Sequence, residues 1–497
     1  MRLRALFRRL AVPAVAGSLA FAGLATPAQA EEIPEFDVPL VGILSPETVT
    51  VINGQSKTVK FDLFNIGGGA AKNVVLDFGT VAPDMGLTAP AGCTGTVCAL
   101  GDFKPGEQRT IKFTLKPSGA APAKVLNLST TVDGVESDAV SITVVRTDKG
   151  GADLEMGDIK DLKLGLGGSA DVPVVIANTG NEPVEHLGVM VIPVFGGIRA
   201  DLNYRNCVTD AEFGGLLCVF DEPLAGGGTF TLPEKTPLRV SVPKDTGGPF
   251  DYPVFVAAVG LTDKYVAEFA TLTKGTKGAE LKLETLAKAS AEEEPEAVED
   301  LNPDDNITDF SVSVPKTSAD SAAVGGTFRG AIGDTSTVKV GVRNLGPTAT
   351  VPPMADEIPY VHVRLPRGVE LTDLDERCLA GTSPDDVSFA EGGRDFICLD
   401  FQGLGKGRTS LFSFTVEITE GEHDSGRVTV DGGVQDSKSG NDKAALDVEL
   451  TGGGSGGGLP ITGAPAGLVA GGGAALLIAG FLAYRMARRR RIVTVVE

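Results

Sequence analysis

Residues 59–67 read VKFDLFNIG, and this stretch decides the fold. Apolar residues occupy every second position until the run ends at Asn65, which is followed by an apolar residue and a glycine. Such alternation indicates a strand with one buried face, and Asn-x-Gly favours a turn. The same pattern recurs at residues 172–180 (VPVVIANTG) and 338–346 (VKVGVRNLG), so the chain contains three copies of one unit.

Two further runs with alternating apolar residues follow the Asn-x-Gly turn in every copy. Short strands, turns rich in Gly and Pro, and almost no helical periodicity predict an all-β chain of antiparallel β-sandwiches with an immunoglobulin-like shape. The chain has no Trp, so it lacks the strand tryptophan of antibody domains. The further runs cover residues 74–78, 187–191 and 361–365, and then 111–115, 238–242 and 412–416.

The domain boundaries follow from the repeats and from shifts in composition. Residues 275–303 are rich in Glu and poor in bulky side chains, so they are expected to form an acidic linker with a short helix at about 280–291. Residues 451–458 form a Gly/Ser tether. Three tandem sandwiches are therefore predicted, at residues 31–148, 149–274 and 304–450.

Both ends of the chain carry targeting patterns. Four arginines precede an apolar run at residues 10–24, and Ala28 and Ala30 are the small residues that signal peptidase requires. We therefore predict a signal peptide at residues 1–30, cleaved before Glu31, and secretion of the chain. Its carboxyl end carries the motif Leu459-Pro460-Ile461-Thr462-Gly463.

An apolar segment at residues 464–484 and a tail with five arginines at 485–497 follow this motif. As a helix the segment would span about 30 Å, roughly the thickness of a bilayer core. A basic tail after an apolar span tends to remain in the cytoplasm. The pattern predicts a transmembrane helix at 464–484 and a basic cytoplasmic tail at 485–497.

Motif, span and tail together resemble the LPXTG sorting signal of Gram-positive surface proteins. The resemblance implies that a membrane sortase attacks the Thr462 carbonyl through a cysteine, releases Gly463 and transfers the chain to an amine of the peptidoglycan precursor. The expected location is the cell wall. The alternative is a single-pass membrane protein that is never sorted and keeps its arginine tail.

The repeats also resemble a known domain. An Asn-x-Gly turn, two cysteines, a leucine and a Gly-bearing turn before a β run resemble the conserved-repeat Ig-like domain that recurs in tandem on bacterial surface proteins. The pattern is clearest at residues 93–116 and 363–418, while the second copy departs from it with three glycines at 226–228. The resemblance implies an architecture rather than an activity.

Six cysteines fall as one pair in each copy. Six thiols allow many connectivities, but one pair per repeat favours local pairing in an oxidising compartment. Metal binding is the rival interpretation, and the irregular spacing without a nearby His argues against it. The expected disulfides are Cys93–Cys98, Cys207–Cys218 and Cys378–Cys398.

Calcium is the one cofactor that the sequence suggests. Oxygen ligands from two loops at the ends of the third copy would suit Ca²⁺, although the spacing matches no EF-hand loop. Asp and Asn are also common in turns, which is the alternative interpretation. The candidate ligands are Asp304, Asp305, Asp309, Asp436, Asn441 and Asp442.

The sequence offers no catalytic constellation. His186, His362 and His423 lie in different contexts, and no phosphate-binding Gly motif or nucleophile elbow is present. A net charge of −21 repels nucleic acid and anionic lipid. We expect a non-enzymatic structural stalk or adhesion module. It would meet an unknown extracellular protein or glycan, and the membrane only through its C-terminal helix. An extracellular enzyme of unrecognised type is the remaining alternative.

Overall fold

The computed structural model describes residues 38–119, 122–201, 204–209, 215–287, 300–352, 359–384, 386–388, 393–399, 403–420 and 423–451. The expected signal peptide, sorting motif, transmembrane helix and basic tail lie outside these residues, as does the tether beyond Thr451. Among the residues that are described, no helix is long and apolar enough to cross a membrane. The described chain is all-β, built from three tandem immunoglobulin-like sandwiches.

The first sandwich packs a three-stranded sheet against a five-stranded one. Its strands are β1 Val41–Leu44, β2 Thr48–Ile52, β3 Lys57–Asn65, β4 Ala71–Asp77, β5 Val97–Phe103, β6 Gln108–Leu115, β7 Ala123–Val132 and β8 Val135–Thr147. The sheet orders are β1-β3-β6 and β2-β8-β7-β4-β5, with β2 and β8 parallel. Phe61, Phe78 and Phe113 pack edge to face in the core, with ring centroids 5.2–6.5 Å apart.

The second sandwich is larger. Its elements are β9 Leu154–Met156, β10 Leu162–Lys163, β11 Ser169–Val172, β12 Val175–Asn178, β13 His186–Pro193, β14 Arg199–Asp201, β15 Cys207–Thr209, β16 Leu216–Phe220, β17 Thr229–Thr231, β18 Leu238–Ser241, β19 Phe250–Leu261, α1 Asp263–Leu272, β20 Glu284–Ala287 and β21 Ile307–Val314. The sheet orders are β10-β21-β19-β13-β16-β15, β11-β18-β14 and β20-β17-β12-β9. One apolar core joins all three sheets.

The third sandwich has a four-stranded and a seven-stranded sheet. Its strands are β22 Ser321–Val324, β23 Gly326–Gly330, β24 Thr335–Asn344, β25 Tyr360–Arg364, β26 Val369–Leu374, β27 Cys378–Gly381, β28 Val387–Ser388, β29 Asp395–Cys398, β30 Thr409–Ile418, β31 Gly426–Asp431 and β32 Lys443–Leu450. The sheet orders are β22-β24-β30-β26 and β23-β32-β31-β25-β29-β27-β28. Its apolar core is separate from the other two.

The repeated alternating runs are strands, as predicted, and their in-phase apolar residues are buried, except for the partly buried Val338. The second copy differs in one respect, because its first run is divided between β11 and β12, which belong to different sheets. Pro173 stands between these strands and has no amide hydrogen to donate to a ladder. The chain therefore changes sheets at this proline.

The strand β21 corrects the expected start of the third sandwich at residue 304. It pairs antiparallel with β19, from Ile307 opposite Ala257 to Val314 opposite Phe250, and parallel with β10. Residues 307–314 therefore complete the second sandwich. Alternation predicts that this segment is a strand, but it does not specify which sheet the strand joins.

The expected acidic linker also departs from its description. Leu281 is buried in the second core, and Glu284–Ala287 is a strand paired with β17 rather than part of a helix at 280–291. The described α-helix comes earlier, at Asp263–Leu272. Residues 288–299 of the linker lie outside the described chain.

A buried asparagine ends the first repeated run of each sandwich. Asn65 Oδ1 accepts hydrogen bonds from the amides of Leu40 and Gly67, both at 3.2 Å. Its Nδ2 donates to the carbonyl oxygens of Gly69, at 2.9 Å, and Lys104, at 3.0 Å. This one side chain therefore ties the entering segment, its own turn and the loop before β6 together.

The same four bonds recur in the other copies, where the asparagines are Asn178 and Asn344. All three asparagines are at most 1% exposed. We call this arrangement the asparagine clip. The partners of the second and third clips are Asp153, Gly180, Glu182 and Leu224, and then Asp320, Gly346, Thr348 and Leu404.

The clip also explains the glycines of the repeat. A Cβ on Gly67 would lie 2.2 Å from the carbonyl oxygen of Val38, because the entering segment passes directly over this turn. A second glycine donates its amide to the asparagine's own carbonyl and has φ between 71° and 74°. It is Gly106, Gly227 or Gly407. The three glycines of the second copy therefore preserve the turn.

Replacing the clip asparagine should destabilise its sandwich. Asn65→Ala removes four hydrogen bonds and leaves buried backbone groups without partners, so we expect a loss of about 2–4 kcal/mol in the first sandwich. Hydrogen exchange of the β1 and β3 amides in the full chain measures this locally. The control is Asn127→Ala, since Asn127 is exposed and bonds one serine hydroxyl. Equal exchange in both variants would contradict the prediction.

Candidate functional site: the joint between the first two sandwiches

The first two sandwiches meet at a buried lysine. Lys57 begins β3, and its side chain is 3% exposed. Its Nζ lies 2.7 Å from Asp153 Oδ2 and 2.7 Å from Asp305 Oδ2, and it donates to Thr179 Oγ1 at 3.2 Å. The three partners belong to the second sandwich or to the segment leading into β21. An ammonium of one sandwich is therefore neutralised by the other.

A buried asparagine adds a second tie. Asn302 Oδ1 accepts from the amide of Thr50 at 2.7 Å, and its Nδ2 donates to the Thr50 carbonyl oxygen at 2.9 Å. The same Nδ2 lies 3.0 Å from Asp153 Oδ1. Asn302 thus pairs with the backbone of β2 as another strand would. It also links that backbone to the carboxylate of Asp153, which pairs with Lys57.

Two more lysines surround this pair. Lys60 Nζ donates to the Met156 carbonyl oxygen at 2.7 Å and lies 3.1 Å from Glu155 Oε1. Lys112 pairs with Asp158. Basic groups on β3 and β6 therefore face acidic groups on and beside β9, and the charge of the two surfaces is complementary. We call these contacts, with Lys57 and Asn302, the first joint.

Burial and neighbouring charges shift the pKa values of two groups in the joint. Burial opposes the charge on Lys57, but the carboxylates of Asp305 and Asp153 outweigh it and hold the pKa of Lys57 above its ordinary value. Burial raises the pKa of the Asp305 carboxyl to about 8, and the nearby Lys57 ammonium only partly offsets this, while Asp153 and Glu155 add to it. Asp305 therefore keeps its proton to a much higher pH than an ordinary aspartate does.

The second and third sandwiches also touch directly. The amide of Ala349 donates to the Asp245 carbonyl oxygen at 2.7 Å. A Cβ on Gly247 would lie 2.5 Å from the carbonyl oxygen of Ala349, so the two loops pass at backbone contact. Thr317 and Gly248 exchange hydrogen bonds of 2.9 Å. This second joint is made of backbone rather than of charge.

The three expected disulfides are confirmed. Each cysteine is bonded to its partner in the same sandwich, and no free cysteine remains. Cys207–Cys218 joins β15 to β16, and Cys378–Cys398 joins β27 to β29. The bridges close hairpins and loops within single sandwiches, so they do not fix one sandwich to the next.

The six calcium candidates do not form one site. Asp305 belongs to the first joint, and Asp304 and Asp309 flank it in the segment that completes the second sandwich. Only Asp436, Asn441 and Asp442 lie in the third sandwich. The predicted calcium site is wrong, because residues 304–309 lie at the first joint and in the second sandwich rather than in the third.

Protein donors already occupy much of the third-sandwich group. Asp320 accepts from Lys438 Nζ at 2.7 Å and from Asn441 Nδ2 at 2.8 Å, and Asp436 Oδ2 accepts from the Ser321 amide at 2.9 Å. Burial and the neighbouring acids Asp436 and Asp320 raise the pKa of the Asp442 carboxyl. Asp442 lines an acidic cleft of about 380 Å³ beside β25 and β31.

Lys57 is not among the site residues predicted from the sequence, although the sequence carries a signal for it. Lys57 is in phase with the buried residues of its strand, two positions before Val59, and a lysine on an inward face needs a buried counter-ion. His362 is half-buried, and its Nε2 lies 2.9 Å from Asp395 Oδ1.

No protein-family model matches the chain, and no curated protein matches it. Among solved structures, it is similar to a Porphyromonas gingivalis W83 protein of unknown function, with 11% identity over 44% of this chain and 92% of that one and a TM-score of 0.16. A type I cohesin from Pseudobacteroides cellulosolvens shows 12% identity over 33% and 94%, with a TM-score of 0.19. The CARDB domain of a Pyrococcus furiosus protein shows 16% identity over 22% and 95%, with a TM-score of 0.16. Such low scores carry no argument about function.

The first joint should weaken as the pH rises. Because the pKa of Asp305 is raised from 3.8 to about 8, the folded chain holds a proton that the unfolded chain releases over this range, and the stabilisation is lost progressively between these two pKa values. Asp305→Asn should therefore match the wild type at about pH 4 and exceed its thermal stability at pH 9. Calorimetry of the full chain between these pH values measures the difference.

The matched control is Asp304→Asn, which changes an exposed neighbour. It should follow the pH dependence of the wild type throughout. If Asp305→Asn and Asp304→Asn gave superimposable stability curves, Asp305 would not be the titrating group of the joint.

Proposed function

We propose that the chain is a secreted surface protein, anchored covalently to peptidoglycan through Thr462, whose three sandwiches form a stiff stalk. The main support for a stiff stalk is Lys57, the buried lysine of the first joint. A flexible connection between domains leaves the facing surfaces in water, whereas here Lys57 and Asn302 are buried between two sandwiches. A buried charge of this kind persists only where its partners are held in place.

Continuity of the stalk is supported by the way the chain is shared between sandwiches. The segment after residue 300 contacts β2 of the first sandwich through Asn302 and then completes the second sandwich as β21. Pro315 follows β21, and the second joint begins within a few residues of it. One segment thus runs along the whole middle sandwich and reaches both joints.

A spacer role rather than tight binding is supported by the described surface. Phe255 is the one aromatic residue among the large hydrophobic side chains exposed on the described part of the chain. Protein-binding hot spots are rich in Trp, Tyr and Arg that cluster at the centre of an interface. We therefore assign presentation of the distal sandwiches, rather than an enzymatic activity, to this protein.

Anchoring is supported by the residues at 459–497. In the proposed reaction the sortase thiolate attacks the Thr462 carbonyl carbon, the bond to Gly463 breaks, and Gly463 leaves with its amine protonated. An amine of the peptidoglycan precursor then displaces the enzyme and forms an amide with Thr462. The disulfides fit this location, because such bonds persist outside the reducing cytosol.

Anchoring is tested by Thr462→Ala. Protein released from purified cell walls by a peptidoglycan hydrolase should end at Thr462 joined to a wall peptide, as intact-mass analysis would show. The variant should lose its wall fraction, while the control Thr451→Ala, eleven residues before the cleavage point, should keep it. Recovery of the uncleaved wild-type chain in the membrane fraction would instead support an unsorted membrane protein.

Stiffness is tested by Lys57→Met. The variant leaves Asp153 buried without its counter-ion, so the first two sandwiches should separate. Spin labels at Val135→Cys and Lys235→Cys, which are the only free thiols because the native cysteines are bridged, report the distance between these sandwiches. We expect a narrow distance distribution in the parent chain and a broad one after Lys57→Met.

The control is Lys72→Met, because Lys72 is exposed and pairs with Asp102 inside the first sandwich. It should leave the distribution narrow. Asn302→Leu attacks the joint from its other side and should broaden the distribution as Lys57→Met does. A narrow distribution in both joint variants, with each sandwich still folded, would refute the stiff stalk.

A further inference from the structure

A histidine of the second sandwich stands among three carboxylates that no other observation explains. His186 is the first residue of β13, and Glu185 precedes it. Asp221 follows β16, and Asp263 is the first residue of α1. Three separate elements therefore bring these four side chains to one end of the six-stranded sheet.

The geometry is close enough for shared coordination. His186 Nε2 lies 2.8 Å from Asp263 Oδ1, and Nδ1 lies 2.7 Å from Asp221 Oδ1. One donor atom from each of Glu185, His186 and Asp263 lies within 4.8 Å of the other two. Ligand atoms around a tetrahedral zinc ion lie about 3.3 Å apart, so His186 and Asp263 would separate by about half an ångström to share one.

Both ring nitrogens of His186 face carboxylate oxygens. Nδ1 is shielded from solvent and has no hydrogen-bond partner, although Asp221 Oδ1 lies 2.7 Å away. A neutral imidazole carries one N–H, so one of its nitrogens must turn a lone pair toward a carboxylate oxygen. That contact is repulsive unless the ring is protonated or the nitrogen binds a metal ion as the carboxylate moves aside.

The charge around the His186 ring also favours a bound cation. Three carboxylates carry up to three negative charges, and a protonated imidazole would cancel only one. Among the described residues, no lysine or arginine forms an ion pair with Glu185, Asp221 or Asp263. A divalent cation would satisfy the lone pair and most of the charge together.

We propose that Glu185, His186 and Asp263 form a binding site for Zn²⁺ or a similar first-row transition dication, with Asp221 orienting the imidazole ring. Imidazole nitrogen with carboxylate oxygen is the donor set of such ions, whereas Ca²⁺ prefers six to eight oxygen ligands. The six cysteines are all in disulfides, so no thiolate in the chain competes for the metal. The site does not depend on wall anchoring.

Metal binding would fasten the helix α1 to the sheet. Phe269 of this helix packs against Met190, Leu217 and Val219 on the outer face of the six-stranded sheet. Tyr265, Val266 and Leu272 of the helix pack against the same apolar cluster. A cation shared by Asp263, His186 and Glu185 would add a polar tie at the first residue of the helix.

The test is calorimetric titration of the full chain with ZnCl₂. We expect one saturable site that millimolar CaCl₂ does not displace. His186→Gln should weaken zinc binding by more than tenfold, and Asp221→Asn, which orients the ring, by about tenfold. The matched control is His362→Gln, because among the described residues Asp395 is the one acid that forms an ion pair with His362, and His362 belongs to no group of three close metal-ligating side chains. It should bind zinc as the wild type does.

A second measurement keeps the result interpretable if a variant is unstable. Zinc should slow hydrogen exchange in α1 of the wild-type chain and of His362→Gln, and should leave His186→Gln unchanged. The absence of saturable zinc binding by the wild type would overturn the proposal and indicate a protonated histidine. Equal zinc affinity in His186→Gln and His362→Gln would overturn it as well.

Discussion

The buried carboxamide of one asparagine in each sandwich is the constraint on which the rest of this structure depends. It offers two acceptor positions and two N–H donors, and all four are satisfied by backbone groups in the three clips. Aspartate lacks the donors, and a longer side chain would not fit the same space. Since an unpaired buried polar group is costly, the clip fixes three separate stretches of backbone at once.

The clip also positions the first joint. Asn178 accepts from the amide of Asp153, and the side chain of the same Asp153 is a counter-ion of Lys57 in the first sandwich. In the third sandwich, Asn344 accepts from the amide of Asp320, whose carboxylate binds Lys438 of the same sandwich. At the first joint, one residue, Asp153, therefore serves both the fold of its own sandwich and the attachment of that sandwich to its neighbour.

The charged residues of this acidic chain are unevenly distributed. The protein is strongly acidic, with 65 acidic and 44 basic residues, yet Lys57, Lys60 and Lys112 gather where the first sandwich meets the second. Most of the acidic surface keeps the chain soluble and apart from other anions. At His186 the excess of carboxylates is local, and in the described part of the chain no lysine or arginine forms an ion pair with Glu185, Asp221 or Asp263. The same composition therefore produces an ionic joint in one place and the proposed cation site in another.

Much of the fold could be predicted from the sequence. The features that could not be predicted all depend on which segments of the chain meet in space. Alternation in period two fixes which side chains of a strand face inward, so the strands, the Asn-x-Gly turns and the local disulfides followed from neighbouring residues. The hydrogen-bonding edge of a strand is the same for every sequence, so the sheet that β21 joins was decided only by the tertiary structure. The joint and the histidine site likewise combine residues far apart in the chain, with 252 positions between Thr50 and Asn302 and 77 between His186 and Asp263. The sequence by itself determined the repeated sandwich, while the targeting signals at its ends stay predictions. Only packing decided which charges meet, because a buried ion pair depends on distance in space rather than on separation along the chain.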